Sequence, residues 1–313
     1  MSSSLPRGVD PDSWAEAARL RKKHWDNDVF LRGIVEFSNH CGQNCLYCGL
    51  RRDNRELDRY CLDPETIFDA AGAVRGLGFG TVVLQAGEDA DFDPASVAGL
   101  VSRVKEELGR AVTLSLGEHS RAVYALWRAA GADRYLLKLE TLDENLYASL
   151  RPGRKLAARL QALEHLAELG YETGSGLIAG LPGESPVSFQ RGLEFLAGLN
   201  LDMVSISPFV PAPGTPLAQA PACGLAGILN AMAKTRQLMR TAHIPVTSAL
   251  EVGDVLMPSL TPESVRNSYA IYAGKNTGTQ APAARAEAMR QMLTQAGFNL
   301  PTGPGSAWRL ART

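Results

Sequence analysis

From about residue 30 onward, short apolar runs alternate with segments of helical spacing. That is the pattern of a parallel sheet covered by helices rather than of antiparallel meanders. Strands are expected at 30–37, 81–85, 112–116, 135–139, 174–179, 203–209, 245–250 and 255–258. Most are near-continuous Val, Ile and Leu runs without polar alternation, as expected of strands buried on both faces. Helices are expected at 64–75, 94–108, 121–130, 155–169, 186–196 and 281–296. The clearest amphipathic stripe is Leu225, Ile228, Leu229, Met232, Leu238 and Met239. Gly76, Gly78, Gly131 and Gly170 sit where helices should stop. Ahead of the first strand, Asp12 or Ser13 is placed to cap a helix running through Trp14, Ala18, Leu20 and Trp25. Together these elements predict an α/β fold, a closed (β/α)8 TIM-type barrel, with an N-terminal helix and a short C-terminal helical extension. The expected boundaries are 1–29 for the helical cap, 30–275 for the barrel, and 276–313 for the last helix and a Pro/Gly-rich tail. In such a barrel, chemistry sits at the C-terminal ends of the strands. An open six-stranded barrel is the alternative, because strands seven and eight are short and nearly adjacent.

Composition narrows the functional classes. The 313 residues carry 32 Lys+Arg against 33 Asp+Glu, a formal net charge of -1, which gives no electrostatic ground for a nucleic-acid or anionic-membrane partner. No stretch approaches the ~18 apolar residues of a spanning helix, and residues 1–12 lack a basic start followed by an apolar run. A cytoplasmic protein acting on a small molecule is therefore expected, with neither membrane nor nucleic acid as partner.

The chemistry lies in the cysteines. Of five, Cys41, Cys45 and Cys48 crowd into eight residues, with Cys61 and Cys223 apart; an odd count so clustered is not a disulfide framework and suits metal-bound thiolates in a reducing compartment. The C-x3-C-x2-C loop follows directly on the first strand, at its functional end. Three thiolates on one loop can hold three irons of a cubane cluster and leave the fourth iron open to a small molecule. A zinc site completed by His40, or three unrelated buried thiols, are the alternatives; zinc sites favour paired C-x2-C elements, and no second pair exists. A cluster serving only electron transfer or structure would ask for a fourth thiolate, and Cys61 reads more simply as a small partly buried side chain.

The string from Ser38 to Gly49, with Tyr47 before the third cysteine, resembles the signature of the radical-SAM superfamily. What this resemblance implies is a [4Fe-4S] cluster on Cys41, Cys45 and Cys48, whose open iron takes the amino and carboxylate groups of S-adenosylmethionine. An electron from the reduced cluster then cleaves the sulfonium to a 5′-deoxyadenosyl radical. Further motifs at successive strand ends resemble the same group. Gly87-Glu88 corresponds to the motif for the methionine amino group, and Glu140 to a carboxylate for the ribose hydroxyls. Arg159 is similar to the arginine that the biotin-synthase branch pairs with the methionine carboxylate. The stretch 174–184 with Gly180, and Pro208 after the sixth strand, resemble the adenine contacts. Taken singly, each reads equally as a turn, a salt bridge, a solvated arginine or tight packing.

The strings 45–54, 208–217, 255–262 and 269–272 look like the radical-SAM maturase E group, which helps to build the di-iron site of [FeFe]-hydrogenase and is related to methylornithine synthase and biotin synthase. That resemblance implies a small substrate inside the barrel, an iron-cysteine-carbonyl-cyanide precursor, and a reductant such as flavodoxin or ferredoxin. Ser115, Lys138, Ser205 and Thr247 are the candidate substrate-lining residues, small or polar with one cation, which suits a compact anionic ligand; alternatively Lys138 pairs with a fixed acid such as Glu118. Where that group reads Arg-His-Glu-Thr after the fourth strand, this chain has Lys138 and Leu139 before Glu140, and its remaining cysteines cannot form the second cluster some members carry. A related enzyme rearranging a small amino acid is the enzymatic alternative.

Overall fold

The computed structural model describes residues 5–89, 92–276 and 280–310; parts of the expected cap (1–4) and C-terminal unit (277–279 and 311–313) lie outside the described residues. Helix α1 (Pro11–Trp25) starts earlier than expected, because Asp10 is the cap: its carboxylate accepts from the Asp12 and Ser13 amides, and Pro11 fills the first helical position. There follow β1 (Phe30–Ser38), α2 (Pro64–Leu77), β2 (Thr81–Ala86), α3 (Pro94–Arg103), which runs on as a π-helical turn over Val104–Leu108, β3 (Ala111–Ser115), α4 (Arg121–Ala129) and β4 (Arg134–Leu136). The second half comprises α5 (Glu144–Leu150), α6 (Leu156–Glu168), β5 (Glu172–Ala179), α7 (Pro186–Gly198), β6 (Met203–Pro208), α8 (Leu225–Leu238), β7 (Val255–Leu256), α9 (Glu263–Arg266) and α10 (Pro282–Gln295). Side chains of Asp63, Asp93, Ser120, Asp143 and Ser185 cap α2, α3, α4, α5 and α7, which fixes where each crossover begins.

The strands form one parallel sheet in the order β6-β5-β4-β3-β2-β1-β7. It is curled: Arg32 on β1 reaches the Met203 sulfur on β6 at 3.4 Å, across four intervening strands. The expected closed barrel of eight strands is corrected here, because residues 245–250 form no strand. His243 pairs singly with Met203, and Pro245 singly with Val255. Pro245 has no amide hydrogen to donate, and the Thr247 hydroxyl turns to Ile206 O at 3.1 Å instead. The seam between β6 and β7 is thus spanned by isolated pairs. β4 is also shorter than expected, since the Leu139 and Glu140 amides both donate to Gly176 O, at 3.0 Å each, and the ladder bulges.

Outward-facing Val35, Phe37, Leu84, Leu114, Leu177 and Val204 pack with Ile67, Val101, Leu163 and Met232 of the helices in the main core. The concave face carries polar groups instead. At the N-terminal ends of the strands, a floor is laid by residues 303–309: Arg134 Nη2 donates to Pro304 O at 2.9 Å and Gly305 O at 3.2 Å, and Arg32 Nη2 donates to Gly305 O at 3.2 Å. Ala307 N donates to Glu172 Oε2 at 2.8 Å, and Arg309 clamps Asp202 at 2.7 and 2.9 Å. Gly80 must be glycine here, since a Cβ would fall 1.7 Å from Gly303 O. Burial and the nearby Arg134 charge push the Arg32 guanidinium down to about 9. A cavity of about 340 Å³ lined by Lys105, Arg110, Asp133 and Thr302 belongs to this floor, at the end opposite the cysteines. Among the described residues no helix is long and apolar enough to cross a membrane.

Candidate functional site

The loop after β1 is held at both ends by polar contacts. Arg59 donates to Asn39 O at 2.6 Å, Leu50 O at 3.0 Å, Arg51 O at 2.7 Å and Asn54 O at 3.3 Å, so one guanidinium ties together the carbonyls on either side of the cysteine loop. Buried Asn39 ties it to Asp58 O and Ser268 O, at 2.7 and 2.8 Å. Gly49 N donates to Ile271 O at 3.0 Å, and a Cβ on Gly49 would lie 2.0 Å from Ala270 O. Beneath the loop, the Glu36 carboxylate is buried against Lys275 at 2.5 Å, Ser259 at 2.6 Å and Thr261; burial would raise its pKa, but Lys275 and the two hydroxyls hold it below the ordinary range.

All five cysteines are free; Cys45 is buried and Cys41 and Cys48 partly so. Burial, with the Cys45 charge adding to it, pushes the Cys41 and Cys48 thiols up. Three ligand atoms in a poorly hydrated place without a cation between them would show this, and bound iron would relieve it. Tyr47 packs with Leu150, Ile178, Leu181 and Phe209 in a small apolar cluster against this loop.

β2 ends against the same loop. A Cβ on Gly87 would lie 2.1 Å from His40 O and 2.9 Å from Cys41 Cβ, and Gly42 N donates to Glu88 O at 2.8 Å. Glu88 then enters a cluster of two carboxylates and three guanidiniums. Arg159 Nη1 lies 2.9 Å from Glu88 Oε2 and 2.9 Å from Glu118 Oε1, while its Nε donates to Lys138 O at 2.8 Å. Arg154 Nη2 lies 3.2 Å from Glu88 Oε1 and 2.6 Å from Glu118 Oε2. Arg151 stands 3.6 Å from Glu88 and 3.8 Å from Glu118, and its Nη1 donates to Tyr147 Oη at 2.8 Å. Burial alone would raise the Glu88 carboxyl, but Arg159, Arg151 and Arg154 outweigh it and hold it below the ordinary range. Among the described residues Arg159 Nη2 takes no protein hydrogen bond, and buried Arg151 Nε has no partner. A spare Arg159 donor and a buried Arg151 donor beside a carboxylate fit the two ends of an amino acid.

Past β4, Lys138 Nζ lies 3.0 Å from Glu140 Oε2 and donates to Ser207 Oγ at 3.2 Å. Its acidic partner is therefore Glu140, where Glu118 was the alternative expectation. Glu140 adopts φ 69° at the bulge, and apart from the Lys138 ion pair its Oε2 has no aligned donor among the described residues. Thr141 donates to Glu184 Oε1 at 2.7 Å, leaving Glu184 Oε2 buried and unpartnered; burial, then Asp143, raises Glu184 to about 7. Gln85 Nε2 donates to Ser115 Oγ at 3.1 Å on the concave face, which Ser205 shares by strand alternation. Gly176 is required beside Ser205, since a Cβ would come within 1.8 Å of Ser205 O. Gly180, φ 74°, and Pro208 sit at the adjacent ends of β5 and β6. Thr247 is not brought to the others: its hydroxyl lies against Ile206 O and Met232 Sδ, on the α8 side.

A three-cysteine loop at one end of a curled parallel sheet, beside a buried cluster of carboxylates and guanidiniums, defines a class. The chain belongs to the radical-SAM superfamily, whose family model matches residues 35–207, and its members use a [4Fe-4S] cluster and S-adenosylmethionine. It is a radical-SAM enzyme. Within that superfamily it is 42% identical to the [FeFe] hydrogenase maturase subunit HydE of Thermotoga maritima over 282 residues, 86% of this chain and 81% of the relative. It is 31% identical to 3-methylornithine synthase of Methanosarcina acetivorans over 75% of this chain and 67% of that one. The crystal structure of methylornithine synthase (PylB) superposes with a TM-score of 0.84 at 26% identity, covering 92% of this chain and 88% of that chain.

Arg59, Arg151 and Arg154 are the site residues that sequence reasoning missed, and it named Glu118 only as a partner for Lys138. All four stand on loops, where no periodicity marks an inward side chain. The one available signal was density: Arg151, Arg154 and Arg159 fall within nine residues.

Proposed function

We propose that Cys41, Cys45 and Cys48 hold the cluster and that the chain acts in building the di-iron site of [FeFe]-hydrogenase. The observation that carries this reading is the 42% identity to HydE across most of both chains. When bound, the cluster and S-adenosylmethionine supply reductive cleavage of a carbon–sulfur bond. The chain's own groups position and exclude. Glu88 accepts from the α-ammonium, Arg159 Nη2 donates to the carboxylate, and Glu140 accepts from the ribose hydroxyls. Gly180, Pro208 and Tyr47 flank the flat and apolar parts. Fixing both ends of one molecule holds the bond to be broken in one place, and the apolar packing around Tyr47 keeps water out.

The substrate reading rests on Ser115, Lys138 and Ser205, with Ser207 beside Lys138, a polar face with one cation suited to a compact anionic iron-cysteine-carbonyl-cyanide precursor. Five free thiols suit a cytoplasmic setting with a flavodoxin or ferredoxin as reductant. The superposition with methylornithine synthase keeps amino-acid rearrangement as the second reading. The test is S-adenosylmethionine consumption by the anaerobically reconstituted protein with dithionite. The precursor is expected to accelerate it strongly; acceleration by lysine and none by the precursor would replace the first reading with the second.

A further inference from the structure

The cluster around Glu88 holds one arginine too many for the cofactor it is read as binding. Two carboxylates face three guanidiniums, and both Glu88 oxygens are occupied: Oε2 by Arg159 at 2.9 Å, Oε1 by Arg154 at 3.2 Å. Each oxygen can accept a second hydrogen bond, but an α-ammonium brought to Oε1 would set a further cation against the Arg154 guanidinium. Arg159 and Arg151 are 7% and 3% exposed and are anchored elsewhere, to Lys138 O and Tyr147 Oη, so neither can leave without stranding a buried charge. Arg154 differs on each count. Its side chain is 34% exposed, among the described residues it meets only the two carboxylates, and it follows Gly153 in the α5–α6 loop, where a Cβ would meet nothing within 4 Å.

Resting on the reading of Glu88 as the ammonium acceptor, we propose that Arg154 is a place-holder. In the ligand-free chain it occupies the ammonium's position on Glu88, and it must swing out when S-adenosylmethionine enters. Its charge keeps the two carboxylates compensated while the site is empty. Its displacement costs an ion pair that the α-ammonium must replace, so the contact lowers the affinity for ligands bearing an α-ammonium and leaves those without one unaffected. Arg154 is thus an affinity-setting residue, distinct from the groups that hold the bound cofactor.

The experiment is anaerobic equilibrium dialysis on the reconstituted protein with its cluster oxidised, so that no turnover occurs. S-adenosylmethionine is compared with its analogue lacking the α-amino group, in the parent, Arg154→Ala, Arg154→Gln and Glu88→Gln proteins. Both Arg154 variants are expected to bind S-adenosylmethionine about threefold to tenfold more tightly, the scale of a half-exposed ion pair, and to bind the deaminated analogue no more tightly than the parent. Using two variants guards against a folding defect in one. Unchanged or weakened S-adenosylmethionine binding in both, or equal tightening for both ligands, overturns the place-holder. If Glu88→Gln binds S-adenosylmethionine as the parent does, the underlying assignment of Glu88 fails instead.

Discussion

Replacing Gly117 by alanine probes the whole charge cluster through one methyl group. Gly117 has φ +83°, and a Cβ there would lie 2.3 Å from Glu88 Cγ and 2.5 Å from Glu88 Oε2, more than ~1 Å inside ordinary carbon contact. The left-handed backbone costs a non-glycine residue about 1–2 kcal/mol, and forcing a packed side chain aside about 1–3 kcal/mol more. Gly170, φ +78° with nothing within 4 Å of its Cβ, carries only the first cost, so Gly170→Ala isolates it. At about 2.1 cal/mol/K of unfolding entropy per residue, a chain of this length loses about 1.5 °C of Tm per kcal/mol. Gly117→Ala is therefore expected to melt about 3–8 °C below the parent, and Gly170→Ala about 2–3 °C below it. Glu88 cannot move aside without leaving Arg159, 2.9 Å away, so S-adenosylmethionine affinity falls at least about tenfold in Gly117→Ala and stays at the parent value in Gly170→Ala. Anaerobic thermal melts and equilibrium dialysis read both effects. Two variants that melt together and bind alike would show that Glu88 shifts freely, and the argument from its fixed position would be wrong.

Cys45→Ala is expected to fall short of four irons per chain on reconstitution and Cys61→Ala to keep them, since Cys61 is exposed and its thiol, among the described residues, donates to Leu62 O alone; iron analysis giving the reverse would displace the ligand set. Arg59→Ala, which frees four loop carbonyls, should lower iron loading, and Arg59→Lys should recover only part of it because an ammonium lacks the fork; full loading in Arg59→Ala contradicts the pinned loop. Glu184 holds its proton up to about 7 in the folded chain and releases it near 4.5 when unfolded, so its stabilising contribution is full below about 4.5 and is lost as pH rises through about 7. Glu184→Gln should melt with the parent at pH 5 and above it at pH 8; parallel melting profiles refute the assignment.

Seven of the eight expected strands and most helices were legible because burial on both faces writes apolar runs, as in β2. The exceptions have local causes. Residues 245–250 look apolar enough for a strand, but Pro245 and the Thr247 hydroxyl divert the bonding that a ladder needs. Helix α5 is only seven residues long, too short to show a period. The cysteine loop, Glu88, Glu140 and Arg159 could be found because motif spacing marks them. What spacing could not show is that Arg159 is shared between two carboxylates, or that Lys138 folds back onto Glu140. The first is made across elements, by residues with no fixed separation in sequence, and the second depends on the bulge after β4 that places Glu140 at φ 69°.

The floor beneath the sheet also sets how long the folded state lasts. Arg32 on β1 finds its acceptor on Gly305, 273 residues away, a loop whose closure costs about 5 kcal/mol of chain entropy. Until that segment docks, Arg32 and Arg134 lie close together with their carbonyl partners missing. Contacts so remote are expected to form after the rate-limiting barrier, so that Arg32→Ala would speed unfolding and leave the folding rate near the parent value in stopped-flow measurements. Residues 303–307 therefore act on the lifetime of the native chain, as a latch that closes last and opens first.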